Sequence, residues 1–260
     1  MAEPGKSGSS GQMLFYKSLE PLGLERHRGI GVSRIDRPFK FLVGANIVPI
    51  TVHEFDLAGS SYPLIFAGAE KSPMAVMGAR AGESVFVTPQ GDIDPEAYLP
   101  AYVRRYPFAL AAEPNGERMI VCIDRAAAMV VMGGDKPLFN GDKETQFTTD
   151  AIEFCKQYEG FRQGTEIFTK RITDYNLWES KTFTLTLPNE DGSAGSPIKV
   201  ADYFAISESA LAALPLEKFA VLRDEGWLAP IYAHLFSLLL WPKILKRSLK
   251  IAAAQAAAPR

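Results

Sequence analysis

Apolar and polar positions alternate in short blocks through the first half of the chain. Phe41-Leu42-Val43, Ile47 to Val52, Tyr62 to Ala67, Met74 to Gly78 and Ser84 to Val87 are apolar runs. Turn-forming stretches separate them: Ala58 to Ser61, Gly68 to Pro73 and Pro89 to Asp92. A spacing of roughly ten residues predicts an antiparallel, meander-like sheet. Pro49 and Pro63 lack the N–H that a central ladder needs, so their strands are expected at sheet edges or to begin at those residues.

The period changes after Asp94. Pro95 to Phe108 predicts a short helix behind an Asp N-cap, with Pro95 in its first turn. Asn115-Gly116 predicts a turn, and Arg118 to Ile123 a further strand. The clearest helical pattern follows Thr149 or Asp150 as N-cap, with Ile152, Cys155, Phe161, Thr165, Phe168 and Ile172 on one stripe. Glu159–Arg162 and Glu166–Lys170 are spaced for ion pairs on its outer side. Gly160 and Gly164 each weaken a helix by about 1 kcal/mol relative to Ala unless a neighbour packs closely against them. Such a close approach is expected at both.

Thr182 to Leu187 alternates strictly, as a half-buried strand does. Asn189 to Ser196 reads as a loop, and Ile198 to Tyr203 as the returning strand of a hairpin. Helices are predicted over Ser207 to Leu214, with a Ser cap, and over Leu216 to Glu225, closed by Gly226. A last helix is predicted from Leu228 to about Ile251. Its apolar part, Trp227 to Trp241, is interrupted by Pro230 and His234 and followed by Pro242 and Lys243, which suits a core or partner-facing helix better than a membrane span. Beyond Pro242, Lys243, Lys246, Arg247 and Lys250 fall on one helical face. That face is either a contact for an anionic membrane or an acidic partner, or a solvated face near a helix C-terminus.

Composition narrows the classes. The chain has 260 residues, 28 basic and 30 acidic, for a net charge of -2. That balance argues against a nucleic-acid partner. Three histidines and two cysteines leave little material for a metal centre, and neither a metal nor a cofactor is expected. Cys122 and Cys155 are expected as free buried thiols in a reducing, cytoplasmic compartment. Residues 1–12 are polar and Gly/Ser-rich, a disordered leader without the apolar region of a secretory signal. Residues 13–251 are expected to share one core, β-rich over 13–145 and helical with a hairpin over 146–251. A flexible tail is expected over 252–260. The expected class is α+β: an antiparallel β-rich N-terminal portion, then a helical C-terminal portion containing a β-hairpin.

Catalytic signatures do not emerge. G-x-S-x-G, G-x-x-x-x-G-K-[ST] and G-x-G-x-x-G are absent. Gly133-Gly134-Asp135-Lys136 is too short for a phosphate loop. His53, in His53-Glu54-Phe55-Asp56, is the one histidine among carboxylates; on a strand it would face away from Glu54 and Asp56, which is not a ligand pair. No catalytic residue is assigned. Arg104-Arg105-Tyr106-Pro107-Phe108 is the densest cluster of recognition-type residues, because Arg pairs bidentately with carboxylate or phosphate and the rings offer rigid contact area. Arg104, Arg105, Tyr106 and Phe108, with His53, are the candidate binding residues. The competing reading puts Tyr106 and Phe108 in the core, with the arginines holding acidic residues internally.

Tyr62-Pro63-Leu64-Ile65-Phe66, Pro73 to Gly78, Tyr98 to Phe108 and Ile231 to Leu238 together resemble the SapC family of bacterial proteins. The resemblance runs from about Leu14 to Lys246, and the block around Arg104 is its most specific part. It implies an association with surface-layer export. It also implies gene neighbourhoods with tryptophan-halogenase-like and cupin-like proteins and TonB-dependent receptors. The leading expectation is a non-enzymatic cytoplasmic accessory protein that binds a protein or peptide client. The rivals are a component of, or catalyst in, a halogenase- or oxygenase-linked system, and an adaptor held peripherally at the inner membrane.

Overall fold

A computed structural model describes residues 13–112, 118–188 and 194–257. The predicted leader, the Asn115-Gly116 turn, residues 189–193 of the predicted loop and the last three residues lie outside the described residues. The strands are β1 Leu19–Pro21, β2 Ile30–Val32, β3 Ile47–Pro49, β4 Leu64–Ala67, β5 Ser72–Val76, β6 Phe108–Ala112, β7 Met119–Asp124, β8 Val130–Met132, β9 Lys136–Pro137, β10 Phe139–Asn140, β11 Lys143–Glu144, β12 Trp178–Pro188 and β13 Ala194–Ile206. The α-helices are α1 Leu24–His27, α2 Phe55–Ala58, α3 Ala101–Arg104, α4 Gln146–Asp174, α5 Glu208–Ala212, α6 Leu216–Asp224, α7 Leu228–Ser237 and α8 Trp241–Ala257. The fold is α+β: antiparallel strands dominate the first half, and helices with one long hairpin the second. Contacts divide the chain into two compact units, residues 1–41 with 105–157 and residues 42–104 with 158–260.

In the first unit, β1-β7-β6 and β8-β2-β9 form two three-stranded antiparallel sheets, and β10 pairs with β11. Ile30, Phe108, Ile123, Val130, Leu138 and Cys155 build its core. The buried end of β7 carries Asp124. Its Oδ1 accepts from the N–H groups of Ser18 (2.9 Å) and Ala126 (3.1 Å). Its Oδ2 accepts from the N–H of Lys17 (3.1 Å) and the hydroxyl of Tyr106 (3.2 Å). A carboxylate leaves water only when such donors replace its hydration, and here they also tie the Lys17–Ser18 segment before β1 to β7. Both cysteines are free and buried in this unit, and burial pushes both thiols up, Cys155 to about 11.

In the second unit, one antiparallel sheet, β12-β13-β4-β5-β3, joins three strands from the first half of the chain to the late hairpin. Pro49 lies on the edge strand β3, and β4 starts directly after Pro63. Phe66 sits at the centre of the aromatic core. Its ring centroid lies 6.0 Å from Phe55, 6.3 Å from Phe168 and 4.7 Å from Trp178. Among the described residues, β13 pairs with β4 only where Phe204 faces Phe66. Two side chains of α7 supply bonds beside that position. His234 Nδ1–H donates to the Leu64 carbonyl (2.9 Å), and its Nε2 accepts from the Ile206 N–H (3.0 Å). Ser237 Oγ accepts from the Leu64 N–H (2.9 Å) and donates to the His234 carbonyl (2.6 Å). These bonds require a neutral imidazole, and burial holds its pKa down at about 4.

Several local expectations are corrected. Phe41 and Leu42 belong to a 3-10 turn, Lys40–Leu42, and not to a strand. The run from Ile47 ends as a strand at Pro49, and residues 52–58 are helical. Ser84 to Val87 contributes only a bridge between Val87 and Ile93. The 95–108 helix shrinks to Ala101–Arg104, bounded by Pro100 and Pro107. Helix α4 starts four or five residues early, with Thr145 in the cap position, where its hydroxyl accepts from the Thr148 N–H (3.4 Å). Arg162 bridges Glu159 and Glu166, which leaves Lys170 to pair with Asp174. A Cβ on Gly160 would meet nothing within 4 Å, whereas one on Gly164 would come within 2.6 Å of the His53 ring. Ser207 does cap α5, accepting from the Ala210 N–H (3.3 Å). The last helix continues to Ala257.

Candidate functional site

A cavity of about 700 Å³ opens in the second unit between the 80–95 segment and α8 at Ile251. Its apolar lining includes Val43, Val85, Val87, Ile93 and Ile251. The loop that forms one wall depends on Gly78: a Cβ there would lie 2.1 Å from the Glu83 carbonyl oxygen, so any other residue forces the loop open. Arg80 Nη2 donates to Glu83 Oε1 (2.7 Å), and Ser248 Oγ of α8 donates to Glu83 Oε2 (2.6 Å). Burial works to raise the Glu83 carboxyl, but the bonds from Arg80 and Ser248 outweigh it and hold the group below its ordinary value. On the other wall, Arg247 donates to Asp94 Oδ2 (2.8 Å) and lies over the Phe86 ring, 4.8 Å from its centroid. Burial opposes ionisation of Asp94 as well, and the Arg247 bond again prevails. The cavity is therefore apolar inside and bordered by ionised groups of both signs. Such a lining suits an apolar side chain whose flanking backbone or termini meet polar partners.

A second polar centre lies in the same unit around Glu54, which is buried. Its Oε2 accepts from the N–H (3.1 Å) and hydroxyl (2.8 Å) of Thr51, and its Oε1 from the Tyr98 hydroxyl (2.9 Å) and the Ala101 N–H (2.6 Å). Arg104 completes the group, donating to the Tyr98 hydroxyl (3.1 Å) and the Leu99 carbonyl (3.0 Å). Burial first, and Glu54 second, push the Tyr98 phenol up to about 12. With its donors supplied by turns on both sides, Glu54 closes a helical turn and anchors the start of α3.

The residues singled out in the sequence are distributed as follows. His53 is exposed on its turn and stacks on Phe161 of α4, with ring centroids 4.5 Å apart. Because the segment is helical, the strand alternation expected for residues 53–56 does not apply. Partial burial of the ring face packed on α4 holds the His53 imidazole below its ordinary value, against the pull of Glu54. Arg104 is exposed. Arg105 is buried, with its guanidinium 5.7 Å from the Tyr16 ring centroid. Tyr106 is half-buried and bonded to Asp124, and Phe108 belongs to the core of the first unit. The four therefore do not present one exposed patch, and Phe108 takes the core position that the competing reading gave it. Lys243, Lys246 and Lys250 are exposed on α8, whereas Arg247 is turned to Asp94.

The cavity and Glu54 were not found from the sequence, although one signal was present. Thr51-Val52-His53-Glu54 is the T-x-x-E pattern of a helix start, and Glu54 makes the return bond of that box to the Thr51 N–H. Nothing comparable marks the cavity, because its walls meet through contacts such as Glu83 with Ser248 and Asp94 with Arg247, whose partners lie more than 150 residues apart. Among the described residues, no group of three or more His, Cys, Asp or Glu side chains is placed to hold a metal ion.

Comparison with known proteins agrees with the motif blocks. No curated protein and no solved structure matches the chain. The sequence model of the SapC family matches residues 22–244, a span that includes Glu54 with its donors and every lining residue of the cavity but Ile251, while Arg247 and Ser248, which bond to the cavity border, lie beyond it. The chain belongs to the SapC family.

Proposed function

We propose that the protein is a non-enzymatic, cytoplasmic accessory protein whose cavity over residues 80–95 holds a segment of a protein or peptide client in cell-envelope or surface-layer processes. The observation that carries this reading is the apolar cavity bordered by Arg80, Glu83 and Asp94. Its volume is that of a site for a few side chains, and its ionised border offers partners to a peptide backbone or terminus. Three buried titratable groups support holding over turnover. Glu54, Asp124 and His234 each direct their polar atoms to the fold's own backbone and hydroxyl groups.

A photo-crosslinking residue placed at Thr88, on the cavity wall, and separately at Glu153, on α4, tests this in the producing cells. The expected result is a recurrent protein or peptide adduct at Thr88, absent at Glu153 and lost when Val85→Trp fills the cavity. Near-UV circular dichroism checks that the filled variant is folded. Identical adducts at both positions, or an adduct undiminished in a folded Val85→Trp variant, would overturn the reading. Stoichiometric flavin or iron in the purified protein would overturn it in favour of the halogenase- or oxygenase-linked alternative.

A further inference from the structure

Exposed apolar side chains concentrate on the last helical stretch. From Leu228 to Ala254 the chain is helical throughout, through α7, a 3-10 turn over Leu238–Leu240, and α8. By length and composition alone this stretch could cross a membrane. One face of it is occupied by the unit's own core: Ile231, His234, Ser237, Trp241, Ile244 and Ser248 are buried. The bonds of His234, Ser237 and Ser248 fasten that face to β4, β13 and the 79–83 loop. The stretch therefore lies along the surface of its unit, with the opposite face outward.

That outward face has an order. Tyr232, Phe236 and Leu239 are 41%, 68% and 77% exposed, and Lys243, Lys246 and Lys250 continue the same line. Steps of four, three, four, three and four residues keep all six on one stripe. The rings of Tyr232 and Phe236 stack, with centroids 6.4 Å apart, into a single apolar surface. The three lysines make no ion pair among the described residues, and no Asp or Glu occurs anywhere from Leu228 to Ala257. Arg247, which the helical pattern placed with them, is committed to Asp94 instead.

We propose that this stripe docks the protein on an anionic lipid surface. Tyr232, Phe236 and Leu239 enter the boundary between headgroups and acyl chains, and Lys243, Lys246 and Lys250 rest on lipid phosphates. An aromatic and aliphatic segment beside a row of lysines is the composition that interfacial helices use. The lysines span about 10 Å along the axis, and their flexible stems suit diffuse negative charge better than the fixed geometry that a bidentate protein contact demands. This inference does not depend on the client: crosslinking at Thr88 and lipid binding can each fail without the other.

The test is co-sedimentation of the full chain with vesicles of phosphatidylglycerol and phosphatidylcholine, against vesicles of phosphatidylcholine alone. Binding is expected to the anionic vesicles, weakening steeply as salt rises from about 0.1 to about 0.5 M. Lys243→Gln/Lys246→Gln/Lys250→Gln should weaken it on the order of 100-fold. Phe236→Ser/Leu239→Ser should weaken it by about 10-fold or more. Lys143→Gln/Lys156→Gln/Lys218→Gln, which removes the same charge elsewhere, should leave it unchanged. All of these positions are exposed, so the variants are expected to fold, and near-UV circular dichroism confirms it. No binding to anionic vesicles, equal binding to neutral ones, or unaltered binding by the stripe variants would overturn the proposal. So would a dimer in analytical ultracentrifugation that Phe236→Ser/Leu239→Ser dissociates, since the face would then belong to a second copy. Tighter binding to poly-glutamate than to vesicles would assign it to an acidic protein and equally overturn the proposal.

Discussion

Each unit buries a carboxylate and neutralises its cost with the same tools, yet the two carboxylates do different jobs. Asp124 is 0% exposed and Glu54 4%. Each accepts from backbone N–H groups and from one tyrosine hydroxyl, Tyr106 in the first unit and Tyr98 in the second. Asp124 gathers donors from Lys17 and Ser18, more than a hundred residues earlier, so it fastens the first described segment to β7. Glu54 takes half of its donors from Thr51, three residues away, and closes its own turn. That turn has a second attachment, the Val52 N–H donating to Thr165 of α4 (3.1 Å). Identical chemistry thus acts as a long-range staple in one unit and as a local cap with a modest anchor in the other.

The largest effect is expected for Asp124→Ala, which strands three backbone donors and a hydroxyl. It should cost about 4 kcal/mol, read as a lowered urea midpoint, with early loss of amide protection at Lys17 and Ser18. Glu54→Ala should cost less, about 2–3 kcal/mol, because Thr165 still holds Val52. Equal costs, or unchanged exchange at Lys17 and Ser18 in the first variant, would dissolve the contrast between staple and cap.

His234 extends the comparison to a buried group that must stay neutral. Its pKa is 6.5 when unfolded and about 4 in the fold, so acid protonates the unfolded chain first. Its contribution is fully present above pH 6.5 and declines as the pH falls toward 4. The loss attributable to this residue should reach about 2 kcal/mol by pH 5. The difference in urea midpoint between pH 7.5 and pH 5 should therefore be smaller in His234→Gln than in the parent chain. Equal differences would mean that the imidazole does not titrate between those states.

The smallest effects separate the tyrosines. Tyr98→Phe removes a hydroxyl that donates to Glu54 and accepts from Arg104, whereas the Tyr106 hydroxyl only donates to Asp124, at 3.2 Å. Tyr98→Phe should cost about 1.5 kcal/mol and Tyr106→Phe about 1 kcal/mol, by chemical denaturation. A reversed order would show that the staple relies on its hydroxyl more than on its three N–H donors.

Particular residues show how much could be read in advance. Ser207 was legible as a cap, because a cap is decided within three residues. Pro49 was legible as an edge residue, because its missing N–H acts wherever the strand is placed. The stripe of α4 followed from helical period alone, with Cys155, Thr165, Phe168 and Ile172 buried on it. Phe108 was ambiguous: the same ring serves recognition when exposed and packing when buried, and only its neighbours decide. Arg247 was assigned to the basic face because the helical pattern carries no information about Asp94, which lies 153 positions away. Thr51 and Glu54 carried a local signal, but an apolar run around them resembled a strand.

By itself, the sequence determined the α+β class, the family, the helical periods and a shared helical face for Lys243, Lys246, Arg247 and Lys250. These depend on side-chain period and on interactions within a few residues. Only the tertiary structure decided that β4 and the late hairpin share one sheet, with His234 and Ser237 bonding beside their junction, and that Gly78 lets the wall of a cavity close. It also decided which carboxylates leave water, and that Tyr232, Phe236 and Leu239 face outward on a helix whose other side is core. Each of these depends on contacts between residues far apart in the chain, where burial and hydrogen-bond satisfaction are set by partners that no local pattern names.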